Sequence, residues 1–390
     1  MSFSADELSS DSAETPTTRR PSHQKNEFGF ARIAMLICDV EFQIIKVLPA
    51  RSGIPERVVL VRVQTDEGVD GWGEVQLPWR LGELLQRRDM ILPMVAGKNV
   101  LDIAELCHLE QLPRRLRAAL EMACWDAAGK VLRQPLCRFF GGTYRTRVPT
   151  ASHVFDTDNP DLLAEAQRWL DKGIANWVLG TSGNVETDVK ALERIRERFG
   201  GNVQIRFDAR NRFALEDAVR LCSAVQPLSV EMMIDVLKSH NCEHYRQLQW
   251  EIDCPLAIRI VGYGTESLWS VVRSQSVQHL ILDVTEIGGI SAARDAIAVA
   301  TAAGLKVSLS VSRSLGLAVA AMVHLGAAMA GLTSPHEILC EETLQLAMQL
   351  GLKMKDCLWE VPDAFGLGVE INRDLLESDS WSNDLWDIPM

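Results

Sequence analysis

A chain of 390 residues is too long for one ordinary hydrophobic core and points to two domains, or to a large barrel with a smaller companion. Its formal charge of −12 comes from acids and bases mixed along the chain, with no basic run fit to follow a phosphate backbone or an anionic membrane, which argues against nucleic acid and membranes as partners. The nine cysteines are scattered, odd in number and without a CxxC pair, no apolar run reaches the length of a membrane span, and the start lacks a signal-peptide core, so the expectation is reduced thiols in the cytoplasm.

In chain order, residues 1 to 29 read as a disordered tail from their Ser, Thr and Pro content. The run "RVVLVRVQTDEGVDGWGEV", Arg57 to Val75, then reads as two strands around a turn at Asp66, Glu67 and Gly68. A helical region follows, in which "RRLRAALEMACWDAAGKVLRQPL" places Leu116, Leu120, Cys124, Ala127 and Ala128 at helical spacing and ends near Gly129 to Pro135. Strands followed by helices make an α+β unit. From about Val148 the rhythm changes to short apolar runs alternating with amphipathic helices, a βα cadence. The runs are "VPTASHV", "IANWVLG", "VQIRFD", "LSVEMMI", "PLAIRI", "HLILDV", "LKVSLSV" and "HEILC". Between the first two lies "NPDLLAEAQRWLDKG", with Pro160 near its first turn and Gly173 after its end. Eight such strands predict a closed parallel barrel, whose reactive groups belong at the carboxyl ends of the strands.

Five landmarks recur in a telling order: "DEGVDGWGE" closing the hairpin, "EMACWDAAGK" followed by "QPLCRFFGG", "FDARNRF" at the third barrel strand, "LDVTEIGGIS" at the sixth, and "DAFGLGVE" near the carboxyl end. Over about Ile33 to Val369 the chain thereby resembles the enolase superfamily, in its mandelate racemase and muconate lactonizing branch. The resemblance implies an α/β fold, a modified TIM barrel of the (β/α)₇β kind with an N-terminal α+β capping domain. It divides the chain into a cap over residues 30 to 147, a barrel over 148 to 355, and a segment over 356 to 390 that packs back onto the cap. It also implies a homo-oligomer, and a Mg²⁺ held by carboxylates on the third, fourth and fifth strands. That metal would stabilise the enediolate left when a base removes the proton α to a carboxylate, an anion too costly to form unaided.

Taken strand by strand, the implied apparatus is incomplete. Asp208 in "FDARNRF" stands at the first metal-ligand position, followed by Arg210 and Asn211. On the fourth strand the expected acid is absent or one place late, at Asp235, whose side chain alternation sends the wrong way unless a bulge re-aims it; Glu231 lies earlier, deeper or outward. The fifth strand presents Arg259 and Ile260 where the resemblance implies Asp and Glu, with Ile260 in the ligand register. Val178 and Gly180 replace a Lys-x-Lys pair of bases, and Ser310 stands where the seventh strand would carry a histidine. What remains for chemistry is Asp283 on the sixth strand, Glu341 beside Glu342 after the eighth, and His153 at the end of the first, each of which also has an ordinary structural reading. In "HNCEH", Asn241 reads as an N-cap, which makes His240, Cys242 and His244 a poor metal cluster. Trp79 and Arg80, in the short cap loop Gln76 to Asp89, are candidate ligand contacts.

Asp208 and Asp235 alone would hold Mg²⁺ weakly, whereas Arg259 or Arg210 can supply a fixed positive charge and a fork suited to a carboxylate. The expectation is therefore a divergent or degenerate relative that binds a small carboxylate or sugar acid through Arg210, Arg259 and Ser310, without an intact metal site. The alternative is an active racemase, cycloisomerase or acid-sugar dehydratase working with Asp283, Glu341 and His153.

Overall fold

The computed structural model describes residues 35–47, 56–77, 81–107, 109, 111–260 and 265–371; the tail expected at residues 1 to 29, and Trp79 and Arg80, lie outside them. The first sheet holds three antiparallel strands in the order β1 (Ile37–Val47), β2 (Glu56–Thr65) and β3 (Asp70–Gln76). The hairpin β2–β3 turns through Gly68 in a left-handed conformation, as the sequence suggests. Strand β1 is the addition, because its buried residues Ile37, Val40, Ile44, Ile45 and Val47 break the period of two by which a strand is recognised.

Three helices follow, α1 (Leu81–Val95), α2 (Ile103–Cys107) and α3 (Arg114–Val131). Helix α3 lies directly on β3. A Cβ at Gly71 would run into the carbonyl oxygen of Ala123, and one at Gly73 into that of Ala119, which explains the alternate glycines of "DGWGE".

Each of the eight apolar runs then becomes a strand. In chain order the barrel comprises β4 (Arg147–Asp156), α4 (Leu162–Asp171), β5 (Asn176–Gly180), α5 (Val185–Phe199), β6 (Gln204–Asp208), α6 (Leu215–Val225), β7 (Met232–Ile234) and α7 (Cys242–Glu251). It continues with β8 (Leu256–Ile260), α8 (Thr265–Ser274), β9 (His279–Asp283), α9 (Val284–Ile287), α10 (Ile290–Ala302), β10 (Lys306–Val311), α11 (Leu317–Ala328), β11 (His336–Ile338) and α12 (Glu341–Gln349). All eight strands pair in parallel, and β11 pairs with β4 to close the ring. Outward-facing Phe155, Trp177 and Phe207 join the helices in the main core, while Ala151, Val178, Met232, Ile234, Ala257 and Ile281 fill the lumen. A short hairpin, β12 (Met354–Lys355) and β13 (Leu358–Glu360), adds an antiparallel partner to β4. All nine cysteines are free, and no helix of the described residues is long and apolar enough to cross a membrane.

Three buried acids join the first sheet and its helices to the barrel. Glu74 accepts from the backbone of Leu315 and Ala318, both at 2.6 Å, and from the Ser314 hydroxyl, at the start of α11. Glu121 does the same at α10, accepting from the N–H groups of Ile290 and Ser291, both at 2.8 Å. Asp126 accepts from Trp72 and Leu367 N–H, both at 2.9 Å, and pairs with Lys130. Burial pushes all three carboxyls up, against the pull of those donors. The helix starts in turn receive the acceptors that their unpaired N–H groups require.

Candidate functional site

Along an inward-facing strand alternate residues enter the lumen, and three strands join there in a ladder of opposite charges. Strand β6 contributes Arg206 and Asp208, β8 contributes Arg259, and β11 contributes Glu337. A charge inside an apolar strand is tolerated only when paired, and these charges are stacked in alternation along the barrel. Glu231, at the entry to β7, takes a two-pronged contact from Arg206 at 2.9 Å on each oxygen. Arg206 Nη1 lies 3.1 Å from Glu337 Oε1, and Arg259 Nη2 lies 2.9 Å from Glu337 Oε2. Above Glu337, Arg259 Nη1 bridges Asp208 Oδ2 at 3.2 Å and Asp235 Oδ2 at 3.1 Å.

Asp235 reaches this point by the device its sequence position demands. Its backbone sits at φ +49° just past the end of β7, which turns a side chain that alternation would send outward back toward Arg259. Its second oxygen accepts from Arg259 N–H at 2.9 Å and lies 3.3 Å from His240 Nε2. Asp208 Oδ1 accepts from Arg210 N–H at 3.0 Å, where Arg210 and Asn211 form a left-handed pair. Every carboxylate oxygen of Asp208, Asp235 and Glu337 thus already has a donor. Burial alone would lower the Arg259 pKa, but Asp208, Glu337 and Asp235 outweigh it and hold the guanidinium well above its ordinary range.

A second guanidinium lies over Gly180. Arg210 Nη1 is 3.0 Å from Asp156 Oδ2, its Nη2 reaches Asp156 Oδ1, and the same Nη2 is 3.0 Å from His153 Nε2. A Cβ at Gly180 would collide with both Asp156 and Arg210, so the ion pair fills the space a longer side chain would need. Burial acts to raise the Asp156 carboxyl, yet the bonds from His153 and Arg210 prevail and hold it well below the usual carboxylate range. His153 Nε2 also lies 3.4 Å from Asp156 Oδ1, so the imidazole touches both members of this ion pair.

The other expected site residues divide: Asp283 and Ser310 keep the lumen register on β9 and β10, next to Glu337, and Glu341 leaves it. Asp283 caps α9, accepting from Thr285 N–H at 2.9 Å and Glu286 N–H at 3.2 Å; burial pushes its carboxyl up. Ser310 is fully buried beside Glu337 in the strand register, and its hydroxyl has no partner among the described residues. Glu341 is not in the mouth. It opens α12 and holds Arg168 of α4, at 3.0 and 3.1 Å, together with Lys172, which lower its pKa to about 2 against the effect of burial. Glu342 pairs with Arg313. Ile260, placed in the ligand register by spacing, packs in the outer core, and the lumen position belongs to Arg259. Asn241 is the N-cap expected of it, accepting from Glu243 and His244, and no cluster of three or more metal-binding side chains occurs among the described residues. The sequence alone does not single out Glu337 or Arg206, offers His240 only as part of a poor metal cluster, and places Glu231 only as deeper or outward. The available signal is a charge set inside each of two apolar runs, Arg206 in "VQIRFD" and Glu337 in "HEILC", since each buried charge requires a partner.

Comparison with known proteins agrees with this architecture. Residues 45–141 match the model of the mandelate racemase / muconate lactonizing enzyme N-terminal domain, and residues 161–375 match that of the enolase C-terminal domain-like fold. The chain belongs to the mandelate racemase and muconate lactonizing branch of the enolase superfamily. It is 24% identical to an N-succinyl-L-Arg/Lys racemase of Bacillus cereus over 82% of this chain and 89% of that one. It is also 24% identical to a D-galactonate dehydratase of Verminephrobacter eiseniae, over 85% and 95%. Among solved structures, an isomerase from Streptomyces coelicolor superposes with a TM-score of 0.78 at 25% identity, covering 88% of this chain and 98% of that one.

Proposed function

We propose that this protein binds a small hydroxylated carboxylate, of the sugar-acid kind, at the barrel mouth without Mg²⁺, with Arg259 carrying the fixed positive charge in the metal's place. The observation that carries this reading is the convergence of Asp208, Asp235 and Glu337 on one guanidinium. Mg²⁺ requires about six oxygens at roughly 2.0 to 2.1 Å in octahedral array. Here the nearest oxygens of Asp208 and Asp235 are both held by Arg259 Nη1, so an ion between them would coincide with that nitrogen, and the donor set does not fit the metal. The stack sets four acids, Glu231, Glu337, Asp208 and Asp235, against two guanidiniums, Arg206 and Arg259. Surplus carboxylate favours a ligand that brings hydroxyl donors, while Arg210, the more exposed cation of the mouth, suits its carboxylate. The name of the D-galactonate dehydratase relative points to the same class of acid, and that of the N-succinyl-L-Arg/Lys racemase to a small carboxylate that is not a sugar acid.

A second reading, an isomerase or lyase that removes a proton α to a carboxylate, is favoured by the imidazole of His153 at the mouth, between the Arg210 guanidinium and the Asp156 carboxylate. Solvent-deuterium exchange into a panel of sugar acids separates the two, since binding without exchange supports the first. Calorimetry tests the metal. Sugar-acid affinity is expected to be equal with EDTA and with Mg²⁺, and Mg²⁺ alone to give no heat; tight Mg²⁺ binding overturns the proposal. In Arg259→Ala the three acids lose their cation, and Mg²⁺ should then raise the variant's melting temperature, by about 2.7 kcal/mol of stability at a hundredfold excess over Kd, while leaving the parent unchanged.

A further inference from the structure

A groove of about 860 Å³ runs outside the barrel between α2 and α3 on one side and α9 and α10 on the other. We propose that it is a second ligand site, for an organic anion with an apolar body. Its walls combine two chemistries that a bare surface seldom brings together. Ile103, Trp125, Leu132 and Phe139 supply an apolar and aromatic lining, and Arg114, Arg117 and Arg294 supply three cations against the single acid Asp295. In a chain of net charge −12 such a local excess of positive charge runs against the composition.

The arginines also lack close ion pairs, although Arg114 lies within the electrostatic reach of Glu286. Arg115, between two of them in sequence, is spent on Glu286, with contacts of 2.8 and 2.6 Å. None of Arg114, Arg117 and Arg294 has an acid within ion-pair distance among the described residues. Arg117 makes one long contact of 3.5 Å to the Leu109 carbonyl, the Arg114 Nε is buried without a partner, and Arg294 rests on the Phe140 ring at 4.9 Å. Arginines held over apolar and aromatic surface with free forks bind carboxylates and sulfonates whose bodies cover that surface.

The test uses the intact protein and the fluorescent aromatic sulfonate 1-anilinonaphthalene-8-sulfonate. One probe per chain is expected to bind, decanoate to displace it, and decanol and acetate to displace it at least tenfold less well. A sugar acid that occupies the mouth should leave the probe bound, so this result stands or falls apart from the metal-free reading of the mouth. Changing Arg114, Arg117 and Arg294 together to Gln should weaken decanoate at least tenfold. Equal displacement by decanol, undiminished binding by the triple variant, or a self-association seen by sedimentation that buries the groove and excludes the probe would each overturn the proposal. The decanoate and decanol comparison decides the matter even if the triple variant fails to fold.

Discussion

The joint between the first sheet and the barrel and the mouth of the barrel are both built around buried acids, yet they neutralise them by different means. At the joint, Glu74 and Glu121 give their oxygens to backbone N–H groups at the starts of α11 and α10. At the mouth and below it, Asp208, Asp235 and Glu337 give theirs chiefly to guanidiniums. Backbone donors are fixed by the fold and accept any chain that places a carboxylate there, so an acid of this kind is mechanical. Side-chain cations are a choice of sequence and can stand where another chain places a metal or a base. Three of the landmarks that reveal the family, "DGWGE", "EMACWD" and the paired glycines Gly288 and Gly289, belong to the joint, whereas "FDARNRF" carries Asp208 into the mouth; a Cβ at Gly289 would strike the Glu121 carboxylate. Fold membership is thus written mainly away from the chemistry, and the second can change while the first stays.

The mouth should break hardest at its central acid. Glu337 is fully buried between Arg206 and Arg259, and Glu337→Gln leaves both guanidiniums in the barrel with one acid fewer. Breaking a buried pair by removing one partner costs about 3 to 5 kcal/mol, and a loss of this size is expected in chemical denaturation. A cost below about 1 kcal/mol would mean that water reaches the stack and that the charges are not the dry ladder described above.

The joint also carries a response to pH of its own. His324 of α11 belongs to the joint, where its Nδ1 accepts from Cys137 N–H at 3.3 Å and its Nε2 donates to the Leu367 carbonyl at 3.1 Å. Burial lowers its pKa to about 4, against about 6.5 in an unfolded chain. Above pH 6.5 both states are neutral and the contribution is fully present. As pH falls from 6.5 toward 4 the unfolded chain binds a proton that the folded one refuses, and stability declines by up to about 1.4 kcal/mol per pH unit. His324→Gln should therefore flatten the pH dependence of stability between pH 6.5 and 5, removing roughly 1.5 kcal/mol of the decline. Arg259, held far above the accessible range by its acids, adds no slope there. An unchanged slope in the variant would show that His324 is already charged or exposed.

How much of this was legible follows from the same contrast. The eight barrel strands could be read because strands covered on both faces are nearly continuous apolar runs, and no long-range fact is needed to see them. Asp208 and Arg259 could be paired from their places at strand ends. The turn at Asp235 could not, because φ +49° in a residue other than glycine is imposed by its surroundings, here the Arg259 N–H and fork, and leaves no mark in the local sequence. Strand β1 escaped for want of alternation. Glu337 and Arg206 escaped because the inference from each depends on knowing that the other lies across the lumen.

Glu341 shows the opposite failure, a residue in the right segment that faces the wrong way. Past the end of a strand nothing in the sequence states whether an acid turns into the mouth or out toward the neighbouring helix, and Arg168 and Lys172 of α4 decide it. Those partners are each about 40% exposed, so water and salt screen the contact strongly despite the depressed carboxyl. Glu341→Gln should cost less than about 1 kcal/mol in denaturation, and it should leave sugar-acid affinity at the mouth unchanged by calorimetry. The small remaining contribution belongs to the ionised carboxylate, so it is present above the ordinary glutamate range and disappears as pH falls toward about 2. A tenfold loss of affinity in this variant would place Glu341 in contact with the ligand after all, and would move it from the outer ring of helices to the chemistry of the mouth.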